Sequence, residues 1–268
     1  MMVRLEDWYG EFGEYAIEEY IRERFLESKD EMERFYRVIS LIPEDATSLL
    51  DVGCGTGIFL KLLHKYRGIE GVGIDISEVN VNFARAHGLL VEKGDVANLR
   101  FKDKSFDVVT ALEVIEHLPY STYKRALKEI ARVSKRLIII SVPYNEKRRF
   151  ITCPYCGTVF NPSYHIRSFK EKTLTSLFPG FKLQKIERVG VGYQPIFPEK
   201  LEKIIGILRR IPPTAKYMCP LCGFKRPPSK PRTMKDKRRS KIEGLLGFLL
   251  RRRQPRWIIA VYARNLLS

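Results

Sequence analysis

"LLDVGCGTG", residues 49–57, carries two leucines and an aspartate into three glycines spaced two apart. An apolar run that ends in such a loop reads as a strand closing onto a turn and handing the chain to a helix. Glycines there let the backbone approach a ligand closely, at the carboxyl edge of a sheet, where open α/β folds bind. Working outward, "SLLDVG" (48–53), "GVGIDI" (71–76), "LLVEKGD" (89–95), "FDVVTALE" (106–113) and "KRLIIISVP" (135–143) are short apolar runs bounded by Gly, Asp or Pro. Between them, "FLKLLHKY", "SEVNVNFARAHG" and "YKRALKEIARVS" have helical period. Strands alternating with helices predict right-handed βαβ units and a parallel sheet covered on both faces. "FKLQKIERVGV" (181–191) and "RWIIAVYARN" (256–265) predict two late strands, and 14–40 predicts one or two amphipathic helices over the sheet edge.

Two acids stand at the same edge. Asp75 ends the second run, 18 residues after Gly57, where a carboxylate can accept both hydroxyls of a ribose, and Asp95 in "GDV" ends the third. In order, "LLDVGCGTG", "GIDIS", "GDV" and "FDVVTALEVIEHL" resemble the class I S-adenosylmethionine-dependent methyltransferases of type 11, over roughly 46–190 plus the last strand. The resemblance implies a doubly wound, Rossmann-like α/β fold with a seven-stranded sheet, its last strand (256–265) antiparallel and inserted beside the fifth. It implies that Asp51, Gly53, Gly55 and Gly57 hold the methionine end of S-adenosylmethionine, that Asp75 binds ribose, that Ile76 packs on adenine, and that Asp95 with Val96 reads the adenine edge. A nicotinamide-dependent dehydrogenase shares this topology but carries G-x-G-x-x-G for a pyrophosphate, whereas this loop is G-x-G-x-G.

Four of the five cysteines fall into two matching pairs, "CPYCG" (153–157) and "CPLCG" (219–223). Thiolates of Cys153, Cys156, Cys219 and Cys222 at that spacing suit one closed, structural tetrahedral zinc site, with the glycine after each pair permitting the tight turn. Two disulfides are the alternative, disfavoured in a cytosolic chain. In the topology that the resemblance implies, strands five and six are parallel and both insertions leave the sheet at its carboxyl edge, so zinc would tie two long loops into one lid over the methyl donor. Cys54, inside the glycine loop, reads as a small packing residue.

For the chemistry, "EVIEHL" puts Glu113, Glu116 and His117 after the fourth strand, and "YHIRSF" adds His165 between the first cysteine pair and the next helix. Carboxylates and imidazoles so grouped can act as general base, or hold a divalent metal such as magnesium or manganese that orients hydroxyls. Glu-x-x-Glu-His with a later His resembles the metal site of small-RNA 2′-O-methyltransferases, and Glu-x-x-Glu-His also occurs in quinone-biosynthesis O-methyltransferases. Equally, Glu-His after this strand can cap the next helix without a metal. In "SVPYN" (141–145), Pro143 reads as a strand terminator, with Tyr144 and Asn145 as substrate contacts; Arg167 and Phe169 read as lid packing.

The net charge of +17 is concentrated: 225–256 holds thirteen Lys and Arg against Asp236 and Glu243. Such a block attracts polyanions, either nucleic acid or an anionic membrane surface, or forms a solvated loop. "LEKIIGILRRIP" (201–212) and "KIEGLLGFLLRRR" (241–253) suit interfacial helices as well as helices packed on the core. No apolar run is long enough to cross a membrane, and the acidic, aromatic N-terminus is unlike a signal peptide, which predicts a cytoplasmic protein, peripheral to membrane if those helices bind it.

The expected organisation is an N-terminal helical cap (1–45), a cofactor-binding core (46–150), the first zinc knuckle (151–165), a core continuation (166–191), a basic insertion with the second knuckle (192–255) and the final strand (256–268). The activity expected is methyl transfer to an oxygen of a small, lipid-linked or glycan acceptor. The alternatives are a metal-assisted RNA 2′-O-methyltransferase and a silent, zinc-stabilised adaptor on RNA or membrane.

Overall fold

The computed structural model of the chain describes residues 28–148, 150–195, 218–224 and 251–265. Five parallel strands, β1 (Leu49–Val52), β2 (Val72–Asp75), β3 (Leu90–Lys93), β4 (Phe106–Leu112) and β5 (Ser134–Pro143), are joined by α2 (Ile58–Arg67), α3 (Glu78–Ala86) and α4 (Tyr120–Val133). β8 (Phe181–Pro195) and β9 (Arg251–Arg264) complete one seven-stranded sheet in the order β3-β2-β1-β4-β5-β9-β8. β9 pairs antiparallel with both β5 and β8, as Ile139↔Val261 and Ile186↔Ala260 show. The doubly wound, Rossmann-like expectation holds, including the antiparallel last strand beside the fifth.

Alternation along the strands sends neighbours to opposite faces. Ile138, Ile140, Val109 and Ile258 pack with Leu127 and Ile130 of α4, while Leu49, Val108, Ile139 and Ile259 pack with α2, α3 and α1 (Lys29–Ser40). β1 is buried at all four positions, which a central parallel strand covered on both faces requires. α1 starts at Ser28, whose hydroxyl accepts the Glu31 amide, and its buried face contains Glu31 and Arg34 beside Phe35 and Val38.

The late strands are longer than the apolar pattern indicated. β8 runs on to Pro195 and β9 starts at Arg251, so 192–195 and 251–255 belong to an antiparallel ribbon rather than to the insertion. β5 ends at Pro143, and past Tyr144, whose amide still donates to the Arg256 carbonyl, β9 has only β8 as a strand partner. A two-stranded ribbon needs no buried face, and so "RRRQP" shows no apolar signal. The short β6 (Ile151–Thr152) and β7 (Val159–Phe160) form a separate hairpin around the first cysteine pair, and α5 (Glu171–Leu174) follows.

β5 and β8 both end at the carboxyl edge, so both insertions leave the sheet there. Residues 14–27, 201–212 and 241–250, read above as helical, lie outside the described residues. Among the described residues no helix is long and apolar enough to cross a membrane.

Candidate functional site

The glycine loop has the shape its sequence called for. Gly53, Gly55 and Gly57 have φ of 70°, 54° and 78°, a region that side chains with a Cβ rarely adopt. A Cβ on Gly53 would lie 2.6 Å from Val114 Cγ2, and one on Gly57 2.4 Å from Leu89 Cδ1. One on Gly55 would meet nothing within 4 Å. The first and last glycines are therefore demanded by protein neighbours, and the middle one faces open space, as a close approach to a ligand requires.

Asp75 closes the loop from the next strand. Its Oδ2 accepts the Gly55 amide at 2.8 Å and its Oδ1 the Ser77 amide at 2.9 Å. Burial raises its pKa against those bonds. Ile76, the adenine-packing candidate, is among the exposed large hydrophobics, and a neighbouring cleft is lined by Ile74, Gly94, Asp95, Asn98, Leu99 and Phe101. Asp95 turns the chain there, its Oδ1 accepting the Ala97 amide at 2.8 Å, and Val96 packs on the core. Asp51 is buried under the loop, with Thr110 Oγ1 donating to it at 2.6 Å; burial pushes its pKa up to about 7. Cys54 is buried packing, its thiol filling the space beside Gly73.

Past β4 the chain turns sharply. Glu113 takes a left-handed conformation, φ 61°, and its amide donates to the Ser141 carbonyl at 2.9 Å. The turn brings Glu116, His117 and His165 together: one ligand atom from each lies within 4.8 Å of the others, and the imidazole centroids are 4.7 Å apart. Glu116 is fully buried and neither of its carboxylate oxygens has a hydrogen bond. Its pKa is raised well above the ordinary value by burial and by the nearby Glu113. Nδ1 of His165 is 2.5 Å from Glu146 Oε2. Glu113, grouped with these residues on sequence, is not among the three: burial raises its pKa against the charge of Arg34.

Arg34, Glu31 and Glu146 are the residues the sequence reading passed over. Arg34 donates to Glu31 Oε2 through Nε (3.1 Å) and Nη2 (2.7 Å), and to Ser141 Oγ through Nη1 (2.8 Å). It also lies over the Trp257 ring, 5.1 Å from the centroid. A signal was available: at i, i+3, i+4 and i+7 of α1, Glu31 and Arg34 share the stripe of Phe35 and Val38, and a charged pair on an apolar stripe is a buried pair. Glu146 gave no signal, because it meets His165 only through the fold.

The four paired cysteines come together. The Sγ atoms of Cys153, Cys156, Cys219 and Cys222 lie within 4.8 Å of one another, with Cys153 to Cys222 at 3.7 Å and Cys156 to Cys219 at 3.5 Å. All four cysteines are free, and a disulfide would need about 2.05 Å. A tetrahedron with zinc–sulfur bonds of about 2.3 Å has edges of about 3.8 Å, so the thiols fit that ion. The two knuckles are the same turn twice. Cys153 donates its amide to the Thr158 carbonyl and Cys219 to that of Phe224, while Gly157 and Gly223, at φ 74° and 70°, donate back to Cys153 and Cys219. Tyr155 of one knuckle stacks on Phe224 of the other, their planes 5° apart. From Asn161 a strap runs to α5, and on it stands His165.

Of the other candidates, Pro143 ends β5, Tyr144 forms a bridge to Phe169, and Asn145 sits at φ 47° with its amide on the Phe169 carbonyl. Phe169 is core.

A methyltransferase-domain model matches residues 50–138. The ubiquinone biosynthesis O-methyltransferase of Hahella chejuensis is 33% identical over 166 residues, covering 56% of this chain and 68% of that one. A probable tRNA methyltransferase 9B of Bos taurus is 39% identical over 88 residues, 32% of this chain, which spans only 18% of that relative's length. Among solved structures, one from a complex between the Haloferax volcanii Trm112 methyltransferase activator and the putative methyltransferase aligns over 96% of this chain and 97% of that one, with a TM-score of 0.56 at 16% identity, a likeness of fold. With the sheet order, the glycine loop and its acids already in place, these matches show that the chain belongs to the class I S-adenosylmethionine-dependent methyltransferases.

Proposed function

We propose that the chain methylates an oxygen of a small, lipid-linked or glycan acceptor, held between the carboxyl edge and the cysteine-clipped lid. The observation that carries this reading is the meeting of His117 and His165 over buried Glu116, in a turn that Val114 packs against Gly53 of the glycine loop. Asp51 and the three glycines would hold the methionine end of the cofactor, Asp75 the ribose hydroxyls, and Ile76, Asp95 and Val96 the adenine. Bound there, the cofactor supplies a methyl group on a sulfonium. With the cofactor bound, His117 would take the proton of the acceptor hydroxyl, its ring packed against His165 and beside buried Glu116. Zinc on the four thiolates would hold the lid closed.

Methyl-labelled S-adenosylmethionine and an extract of the source cells test it. Label that follows the protein into the organic phase, or into small polar products, supports the reading; label confined to nuclease-sensitive material overturns it.

One observation favours a second reading, a metal-assisted RNA 2′-O-methyltransferase. Glu116 offers two buried oxygens without hydrogen bonds, and a His165 Nδ1 proton held by Glu146 leaves Nε2 of that ring as a ligand. Manganese or magnesium there would orient a pair of hydroxyls. Electron spin resonance of the dialysed protein titrated with manganese tests it: a bound signal absent from Glu116→Gln supports the site, and only free manganese rejects it.

A further inference from the structure

On the reading of Glu116, His117 and His165 as the reacting cluster, we propose that Arg167 is its positioning residue: it grips the Glu116–His117 dipeptide from both ends and sets His117 against His165. Arg167 Nη1 donates to the carbonyl of Ile115, at 3.1 Å, and to that of Leu118, the residues on either side of the pair. The Ile166 and Arg167 amides donate to the Glu116 carbonyl at 2.9 and 3.4 Å. The side chain thus adds the two outer points of a grip whose middle point is backbone. Its guanidinium lies over Tyr123 and Tyr120 of α4, 3.9 and 4.9 Å from the centroids, and its buried Nη2 has no hydrogen bond. The group is therefore committed to the two carbonyls and the tyrosine faces.

Consider what holds each imidazole without it. His165 keeps its own anchors, since its amide donates to Asn161 Oδ1, its Nδ1 meets Glu146, and Arg148 donates to the next carbonyl, that of Ile166. The Glu116–His117 turn keeps the bonds at the Glu116 carbonyl and that of the His117 amide to the Val114 carbonyl, at 3.0 Å, but loses both outer points, the Ile115 and Leu118 carbonyls, and can rock about what remains. The ring of His117 then loses its place against His165, while the glycine loop and Asp75, held by their own bonds on β1 and β2, stay as they are. Lysine cannot replace the fork: one ammonium cannot bridge both carbonyls and lie flat on a ring.

The test uses the full, zinc-loaded chain with labelled histidine, in Arg167→Met and Arg167→Lys beside wild type. The readouts are the nuclear Overhauser cross-peak between the rings of His117 and His165, S-adenosylmethionine affinity by calorimetry, and label transferred from S-adenosylmethionine into cell extract. The expected result is an unchanged affinity, loss of the cross-peak in both variants, and a fall in transfer of more than about tenfold, since a displacement of about 1 Å among reacting groups costs up to about a hundredfold. A cross-peak that persists overturns the proposal, as does a loss of affinity parallel to the loss of transfer. If Arg167→Met fails to fold, Arg167→Lys, which keeps the charge and the stem, carries the test; failure of both makes Arg167 a fold staple and likewise overturns it. His117→Gln with full transfer would remove the reading of the cluster as reactive and leave the cross-peak result for Arg167 standing.

Discussion

Thr110 Oγ1 lies 2.6 Å from Asp51 Oδ1, between neighbouring buried strands, and it is the side-chain hydrogen bond that acts against the burial of that carboxylate. Burial prevails and holds the folded-state pKa at about 7, against 3.8 for an ordinary aspartate. Ionising Asp51 therefore opposes folding: the cost is absent below pH 4, grows as pH rises through the interval, and is complete above pH 7. A shift of this size corresponds to about 4 kcal/mol. Asp51→Asn should be more stable than wild type by a margin that widens from pH 4 to 7 and then levels, as paired urea titrations would show. A margin independent of pH would contradict the buried charge.

On the proposed role of Asp51 at the methionine end of the cofactor, the same carboxylate should make cofactor binding depend on pH. The ammonium at the methionine end of the cofactor favours the ionised form, so binding below pH 7 has to release a proton. Affinity should fall by up to about tenfold per pH unit below the folded-state value. Calorimetry in buffers of different ionisation enthalpy counts that proton directly, and Asp51→Asn should bind weakly at every pH.

Gly55 and Gly53 separate fold from function within one loop. Gly55→Ala meets no protein atom and bears only the left-handed backbone, a cost of about 1 kcal/mol. The variant should fold and lose cofactor affinity. Gly53→Ala, with Val114 Cγ2 2.6 Å from its Cβ, should lose stability as well. Thermal melts and binding isotherms on the two variants would check the contrast.

Cys219→Ser should abolish binding of one zinc per chain and leave cofactor affinity intact, because the knuckles share a cluster of Cys153, Phe160 and Cys219 separate from the main core. Transfer should fall with the metal. Full activity without zinc would show that the lid takes no part in holding the acceptor.

Arg34→Met should destabilise the protein, though by less than the about 3–5 kcal/mol of a fully uncompensated buried charge, because Arg256 Nη2 stays 3.5 Å from Glu31 Oε1. Arg34→Met with Glu31→Gln should recover much of that loss. Denaturation midpoints of the singles and the double give the coupling.

What sequence could convey here followed chain distance. The five core strands, the glycine loop and both cysteine pairs each occupy a few consecutive residues, and each appears where its pattern placed it. Arg34 and Ser141 stand 107 positions apart, as partners in one hydrogen bond, and no local period links them. Glu113 illustrates the converse: it is a near neighbour of Glu116 in sequence, but past its left-handed turn only Glu116 joins the two histidines. The ribbon of β8 and β9 escaped notice because pairing beyond the sheet rim buries little, and only burial writes apolar alternation into a strand.

The doubled knuckle has a consequence for how this protein can vary. Pro195 and Met218 stand at the ends of one connection, and Phe224 and Arg251 at those of the other, so the described fold fixes both ends of each. Loop closure grows harder only by about 0.6 kcal/mol per doubling of length. Residues can therefore be added or removed in either connection at small cost to the clip, and on the proposed reading such changes would alter what meets the acceptor and leave the glycine loop and Asp75 as they are.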